Sequence, residues 1–172
     1  KKNSFSKNKK FRIGFVGRAD KEKGLVQFLN IAEGNKNNFI FNIFSDNKII
    51  FNNKQKKFIH FFFNKNISTI YKNIDLLLVT SPIENCPFSV LEAKSFGVPT
   101  LVYLTKGGIH EIIKNNNDGM IVKYNKRKFD AINCINKIKL NYKFFSNNAF
   151  NSAKRYDANI KILQLIDKEL LK

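Results

Sequence analysis

LLLVTSPIENCPFSVLEAKSFGVPTLVYL, Leu76 to Leu104, contains a strand, a loop, a helix and a second strand in succession. Leu76 to Thr80 is a short apolar run with no polar alternation, the pattern of a strand covered on both faces of a parallel sheet. FSVLEAKSFG then reads as a helix. Gly97 supplies the residue type that most readily ends one, and Pro99 cannot continue it. Thr100 to Leu104 is again β-branched and apolar, so the chain returns to the sheet.

The same alternation runs outward in both directions. Further strands are expected at FRIGFV (Phe11 to Val16), FIFNIF (Phe39 to Phe44), FIHFFF (Phe58 to Phe63) and GMIV (Gly119 to Val122). LVQFLNIAE, ISTIYKNI and IHEIIKN read as the intervening helices. The fold class is therefore α/β, a Rossmann-like doubly wound parallel sheet of about six strands with helices on both faces. The tail from Lys126 to Lys172 reads as helical throughout, with Ile160, Leu163, Ile166 and Leu170 on one stripe. If the strand order is the common 3-2-1-4-5-6, strands 1 and 4 are neighbours at the point where the winding reverses, and ligands bind beyond their C-terminal ends. That singles out two loops, GRADKEKG (residues 17–24) and SPIENCPF (residues 81–88).

Composition narrows the class. The 172 residues are 43% hydrophobic, enough for one real core. The first ten, KKNSFSKNKK, are polar and lack an initiating Met, and they read as a linker from a larger protein. A formal charge of +18 raises nucleic acid or an anionic membrane surface as partners. The lysines are spread along the chain, however, without zinc-finger spacing or an aromatic-basic RNA signature, so no nucleic acid partner is expected. Lys, Asn, Ile and Phe are all encoded by AT-rich codons, which accounts for much of the charge. Peripheral membrane attraction is what remains as its functional reading. Cys86 and Cys134 fit neither a zinc site nor a disulfide framework, and a reducing, cytoplasmic compartment is the default. No metal site is expected: His60 and His110 lack a ligand pattern, and Cys86 has no base beside it to make it a nucleophile.

The two loops carry charge in place of a glycine cradle. GRADKEKG is not G-x-G-x-x-G, so a dinucleotide backbone cradle is not encoded. Arg18 at the strand end and Lys23 before the helix could instead grip a diphosphate from two sides. In the second loop Pro87 suits a first helical turn, whose free N–H groups and positive dipole end favour phosphate. Glu84 in the loop and Glu92 in the helix can each accept two hydrogen bonds from vicinal hydroxyls of a sugar. Gly107-Gly108 either lets backbone approach a ligand or forms a turn.

GRADKEKGLVQFL, SPIENCPFSVLEAKSFGVPTLVY and GGIHEIIKNNNDGMIV resemble the donor-binding domain of family 4 (group 1) retaining glycosyltransferases, which have the two-domain GT-B architecture. The most specific element is the E-x7-E pair followed by E-A-x-x-x-G-x-P, here Glu84, Glu92, Ala93, Gly97 and Pro99. The resemblance implies that residues 11–172 form the nucleotide-sugar domain and that an acceptor-binding N-terminal domain lies outside this chain. It assigns Arg18 and Lys23 to the donor diphosphate, Glu84 to the transferred sugar and Glu92 to the ribose. Gly17, Asn85, Cys86, Pro87, Phe88, Gly107 and Gly108 would line the site. It also implies a UDP- or GDP-sugar as substrate with no separate cofactor, a glycan or lipid-linked acceptor, and a role in bacterial surface polysaccharide or lipopolysaccharide synthesis. Asn85-Cys86-Pro87-Phe88 departs from the glycine-rich form common in the family, which leaves the sugar open. Two rivals stand beside this reading: a basic module binding nucleic acid or membrane without enzymatic function, and half of a sugar-nucleotide epimerase.

Overall fold

A computed structural model describes residues 10–122 and 129–156. The strands are Phe11–Val16 (β1), Phe39–Ser45 (β2), Ile59–Phe63 (β3), Leu76–Val79 (β4), Thr100–Tyr103 (β5) and Gly119–Val122 (β6). The helices are Leu25–Asn35 (α1), Ile67–Lys72 (α2), Phe88–Ser95 (α3), Ile109–Ile112 (α4), Phe129–Leu140 (α5) and Tyr142–Ala153 (α6), with short 3-10 turns at Gln55–Lys57 and Lys154–Tyr156. All six strands form one sheet in the order β3-β2-β1-β4-β5-β6, and every pair is parallel. The expected doubly wound order is the observed one. No helix among the described residues is long and apolar enough to cross a membrane.

Alternation along each strand sorts the core into two layers. Phe11, Ile13, Phe15, Phe39, Phe41, Leu76 and Leu78 pack with Phe28 and Ile31 of α1, Ile135 and Ile138 of α5, and Phe145 of α6. Leu77, Val79 and Val102 face the other way, onto Tyr71 of α2, Val90 and Ala93 of α3, and Ile109 and Ile112 of α4. Phenylalanine is the commonest side chain of the first layer. Phe28 stands edge-on to Phe15 (5.4 Å) and Phe41 (5.8 Å), and Phe11 edge-on to Tyr142 (5.8 Å). Such geometry sets ring edges against ring faces and adds about 0.5–1.5 kcal/mol per pair beyond burial.

Several boundaries differ from expectation for local reasons. Phe58 closes the 3-10 turn, so β3 begins one residue later. The helix expected to reach Ile74 stops at Lys72, because Asn73 turns back to bond the Ile70 and Thr69 carbonyls. IHEIIKN keeps only one helical turn, Ile113 being already extended. The described part of the C-terminal tail is helical, as expected, and consists of two helices that meet at Asn141. The stripe Ile160, Leu163, Ile166 and Leu170 lies outside the described residues.

Two charge contacts hold the switch-point strands and the site-bearing helix. At the N-terminal end of the sheet Arg12 clasps the buried Asp75 through Nε (3.0 Å) and Nη2 (2.8 Å), while the Arg12 amide donates to the same carboxylate (3.0 Å). This joins β1 to the entry of β4. On the other side of the sheet Lys94 of α3 is fully buried and donates to Asp118 Oδ2 (2.9 Å) and the Ile112 carbonyl (2.5 Å). Asp118 Oδ1 accepts the Lys114 amide (2.8 Å), so one carboxylate fixes the turn into β6 and the register of α3 together. Burial lowers the Lys94 pKa, and Asp118 opposes that shift. A lone buried charge costs more than a matched pair. Lys94→Met, which strands the Asp118 carboxylate, is expected to destabilise the fold by about 3–5 kcal/mol in urea denaturation. Lys94→Met with Asp118→Asn should recover a large part of that loss; a double variant no better than the single one would contradict the pairing.

Candidate functional site

A cleft of about 210 Å³ opens beyond the C-terminal ends of β1 and β4. Its floor is Phe15, Val16, Leu78 and Val79, and its walls carry Gly17, Lys23, Ser81, Glu84, Pro87 and Ser89. The winding reverses there, so the helices following β1 and β4 lie on opposite faces of the sheet and their N-terminal loops diverge around an open crevice.

Gly24 makes the closure of those loops possible. It has φ +75°, and a Cβ on it would lie 2.1 Å from the Thr80 carbonyl oxygen and 2.8 Å from the Ser81 nitrogen. Any other residue would push the two loops apart. In return, Thr80 Oγ1 donates to the Gly24 carbonyl (2.9 Å). The first loop is further set by Asp20, whose carboxylate accepts the Lys23 amide (2.8 Å), and by Asn47 just beyond β2 and Ser45 at its end, which accept the Ala19 amide (2.8 and 3.1 Å).

This backbone contact delivers Lys23 to Glu84. Lys23 Nζ donates to Glu84 Oε1 at 2.5 Å, and Ser81 Oγ donates to the same oxygen at 3.0 Å. The Glu84 side chain is 11% exposed and that of Lys23 35%. The loop carrying Glu84 is itself pinned from behind by the segment after β5. Glu84 N donates to the Lys106 carbonyl (2.8 Å), Ile109 N to the Glu84 carbonyl (3.1 Å), and Thr105 Oγ1 to the Ser81 carbonyl (2.7 Å). Gly107 has φ +102°, and a Cβ there would lie 2.4 Å from the Glu84 carbonyl. Gly108 N meets Asn85 Oδ1 (3.3 Å). Gly107 and Gly108 thus buttress the Glu84 loop.

α3 begins at the cleft with an open end. Pro87 is its N-cap with extended ψ, one position before the expected first turn, and it contributes no side-chain cap. The Phe88 and Ser89 amides are then donors without an intrahelical acceptor, no acidic residue sits in the first turn, and the dipole end is positive. One turn on, Glu92 Oε2 accepts the hydroxyl of Tyr71 at 2.8 Å; the same hydroxyl lies 3.0 Å from the Ser89 carbonyl. Tyr71 is 1% exposed, and burial with the neighbouring carboxylate pushes its pKa well above the ordinary range.

The remaining sequence candidates sit at the rim. Arg18 lies outside this contact set: it pairs with Glu22 (3.0 Å) and Asp20 (3.6 Å) of its own loop, its side chain 58% exposed. Gly17 and Phe88 line the cleft, Phe88 with 77% of its surface exposed, while Asn85 and Cys86 are exposed beside it. His110 bonds the Thr105 carbonyl through Nε2 (2.8 Å), and His60 is exposed on β3. Sequence reasoning did not select Gly24, Thr80, Ser81 or Tyr71. A glycine immediately before a helix that starts at a switch point is a signal that could have found the first of them; the others have none short of coordinates.

The chain matches the family model for glycosyl transferases group 1 over residues 1–161. It is 29% identical over 120 residues to an uncharacterized 41.2 kDa protein in the cps region of Klebsiella pneumoniae, covering 67% of this chain and 33% of that protein. Over 61 residues it is 36% identical to the amylovoran biosynthesis glycosyltransferase AmsD of Erwinia amylovora, covering 36% of this chain and 17% of AmsD. The match thus spans a third or less of these curated relatives. Among solved structures, Anabaena HepE in complex with UDP aligns with a TM-score of 0.73 at 18% identity, over 94% of this chain and 48% of HepE. The C-terminal domain of the group 1 glycosyl transferase family protein LpcC from Francisella tularensis aligns with a TM-score of 0.69 at 17% identity, over 84% of this chain and 85% of that one. The chain belongs to the glycosyl transferases group 1, and its fold is a Rossmann-like α/β sheet that matches GT-B C-terminal domains.

Proposed function

We propose that this chain is the donor-binding domain of a retaining glycosyltransferase, holding a UDP- or GDP-sugar in the cleft between β1 and β4. The observation that carries the proposal is the meeting of Lys23 and Glu84, from loops 61 residues apart, at the mouth of that cleft beside the open N-terminus of α3. A nucleoside diphosphate sugar needs cations and amides for its phosphates and acceptors for its hydroxyls, and these are the groups that converge here.

In this reading the diphosphate lies between Lys23 and the first turn of α3. Lys23 exchanges its carboxylate partner for phosphate, and Ser81 continues to hold Glu84 as it turns to the hexose hydroxyls. Arg18 joins from the rim. Its exposed pair with Glu22 is worth only about 0–1 kcal/mol, so releasing it costs little. Glu92 takes the ribose. Negative charge that builds on the leaving diphosphate is met by groups already aimed at it, which lowers the barrier without a metal step assigned to these residues. No side chain of this chain serves as nucleophile: the acceptor hydroxyl attacks the face the diphosphate leaves, and the leaving phosphate takes its proton. The acceptor, a glycan or lipid-linked sugar, is bound by a further domain outside this chain, so the isolated chain binds donor with little turnover. The occurrence of relatives in a cps region and in amylovoran biosynthesis supports a role in bacterial surface polysaccharide synthesis.

Two binding measurements separate this from a polyanion-binding module. Lys23→Met should weaken UDP or GDP binding by about tenfold and the matching monophosphate far less, as expected for loss of one charge-assisted contact to the diphosphate. Equal losses for both nucleotides would remove Lys23 from that role. Glu84→Gln should leave the affinity for the free diphosphate within about twofold and erase most of the extra affinity shown by the preferred sugar nucleotide. A base-independent affinity that collapses steeply with salt would support the rival module instead.

A further inference from the structure

Tyr71 lies in no loop of the switch point, yet its hydroxyl is the one hydrogen-bond partner of the Glu92 carboxylate among the described residues. It reaches Glu92, one turn along α3 from the residues that line the cleft, from α2, on the layer of helices that covers the same face as α3. Its ring is stacked on Phe96, the C-cap of α3, at 5.5 Å and 28°. The ring is therefore clamped at the far end of the helix while the hydroxyl touches its first turns. A phenol has one proton and here two acceptors, the Ser89 carbonyl at 3.0 Å and Glu92 Oε2 at 2.8 Å. An ionised carboxylate is the stronger acceptor, and the shorter contact is to it.

We infer that Tyr71 is a positioning residue for the nucleoside: by binding Glu92 Oε2 it fixes the carboxylate's rotamer and leaves Oε1 to accept the two vicinal hydroxyls of the ribose. The inference rests on the donor reading above and adds to it a residue that touches no substrate. A free Glu on a helix surface samples several rotamers and loses that freedom on binding. A carboxylate already held at one oxygen by a buried, ring-stacked phenol has lost it beforehand, so the ribose meets a preorganised acceptor.

Tyr71→Phe keeps the ring and its stacking on Phe96, so the fold should persist, which a thermal melt will verify. UDP and GDP are titrated by calorimetry into the wild-type chain, Tyr71→Phe, Glu92→Ala and the double variant, and the tighter nucleotide is compared with its 2′,3′-dideoxy form. For the ribonucleotide, Tyr71→Phe should bind roughly five- to tenfold more weakly than wild type, the scale of one typical net hydrogen bond. For the dideoxy nucleotide, and in the Glu92→Ala background, the Tyr71 effect should fall within about twofold of none. Glu92→Gln, with Tyr71 intact, should lose the same preference for ribose over dideoxyribose. A Tyr71→Phe loss that is equal for both sugars would mean that the phenol only supports the first turn of α3 through Ser89, and would overturn the inference. If Glu92→Ala weakens ribonucleotide binding and Tyr71→Phe does not, Tyr71 alone is dismissed and the ribose role of Glu92 stands. If Glu92→Ala changes nothing, that role fails, and the inference fails with it.

Discussion

The absence of a side chain at residue 24 sets the geometry of the whole site. The strand order brings β1 and β4 side by side, but adjacency of strands does not by itself bring their loops into contact. Gly24 does so, in a left-handed conformation with its α-carbon face against the Thr80 carbonyl, and the Thr80 hydroxyl closes the contact by donating to Gly24. From that approach follow the positions of Lys23, one residue earlier, and of Glu84, four residues beyond Thr80. On the far side Gly107 performs the same service, letting the segment after β5 press against the Glu84 backbone. The loop that presents Glu84 is thus held between two glycines from different parts of the chain.

The charge of +18 says little about this site, because most lysines among the described residues are solvent-exposed, where the field is screened within about 8–10 Å. The contrast between Arg18 and Lys23 is more informative. Arg18, with 58% of its side chain exposed, is paired with acids of its own loop in a geometry that any surface helix start could show. Lys23 is half-buried and paired with a carboxylate 11% exposed, where each charge has given up water and depends on the other. A ligand that offers phosphate to the lysine and hydroxyls to the glutamate replaces both partners at once, and one that offers only negative charge leaves Glu84 to Ser81 alone. That asymmetry favours a phosphorylated sugar over a simple polyanion.

Much of this was legible in the sequence. The six strands followed from apolar runs separated by helix-period segments, since a sheet buried on both faces leaves no polar alternation to confuse with loops, and their order is the common doubly wound one that was assumed. The two loops, and within them Lys23 and Glu84, followed from topology. What escaped depended on distance between atoms. Gly107 and Gly108 were open between ligand approach and a turn, and they turn out to press on Glu84 and Asn85. Pro87 sits one position earlier than its helix propensity indicates, because an extended ψ suits a cap. Tyr71, in a segment read only as a helix, is invisible as a site residue until α2 is packed on α3. The Lys94–Asp118 pair likewise looks like two surface charges in a chain full of lysine, and is completely buried.

The central claim is that the loops of residues 17–24 and 81–88 act as one binding surface. Amide chemical shifts of the labelled chain followed during titration with UDP and with GDP test it most directly. The account predicts that for one of the two nucleotides both loops and the first turn of α3 shift together along a single saturating curve. Shifts in only one loop, or scattered over the lysine-rich surface without saturation, would contradict it.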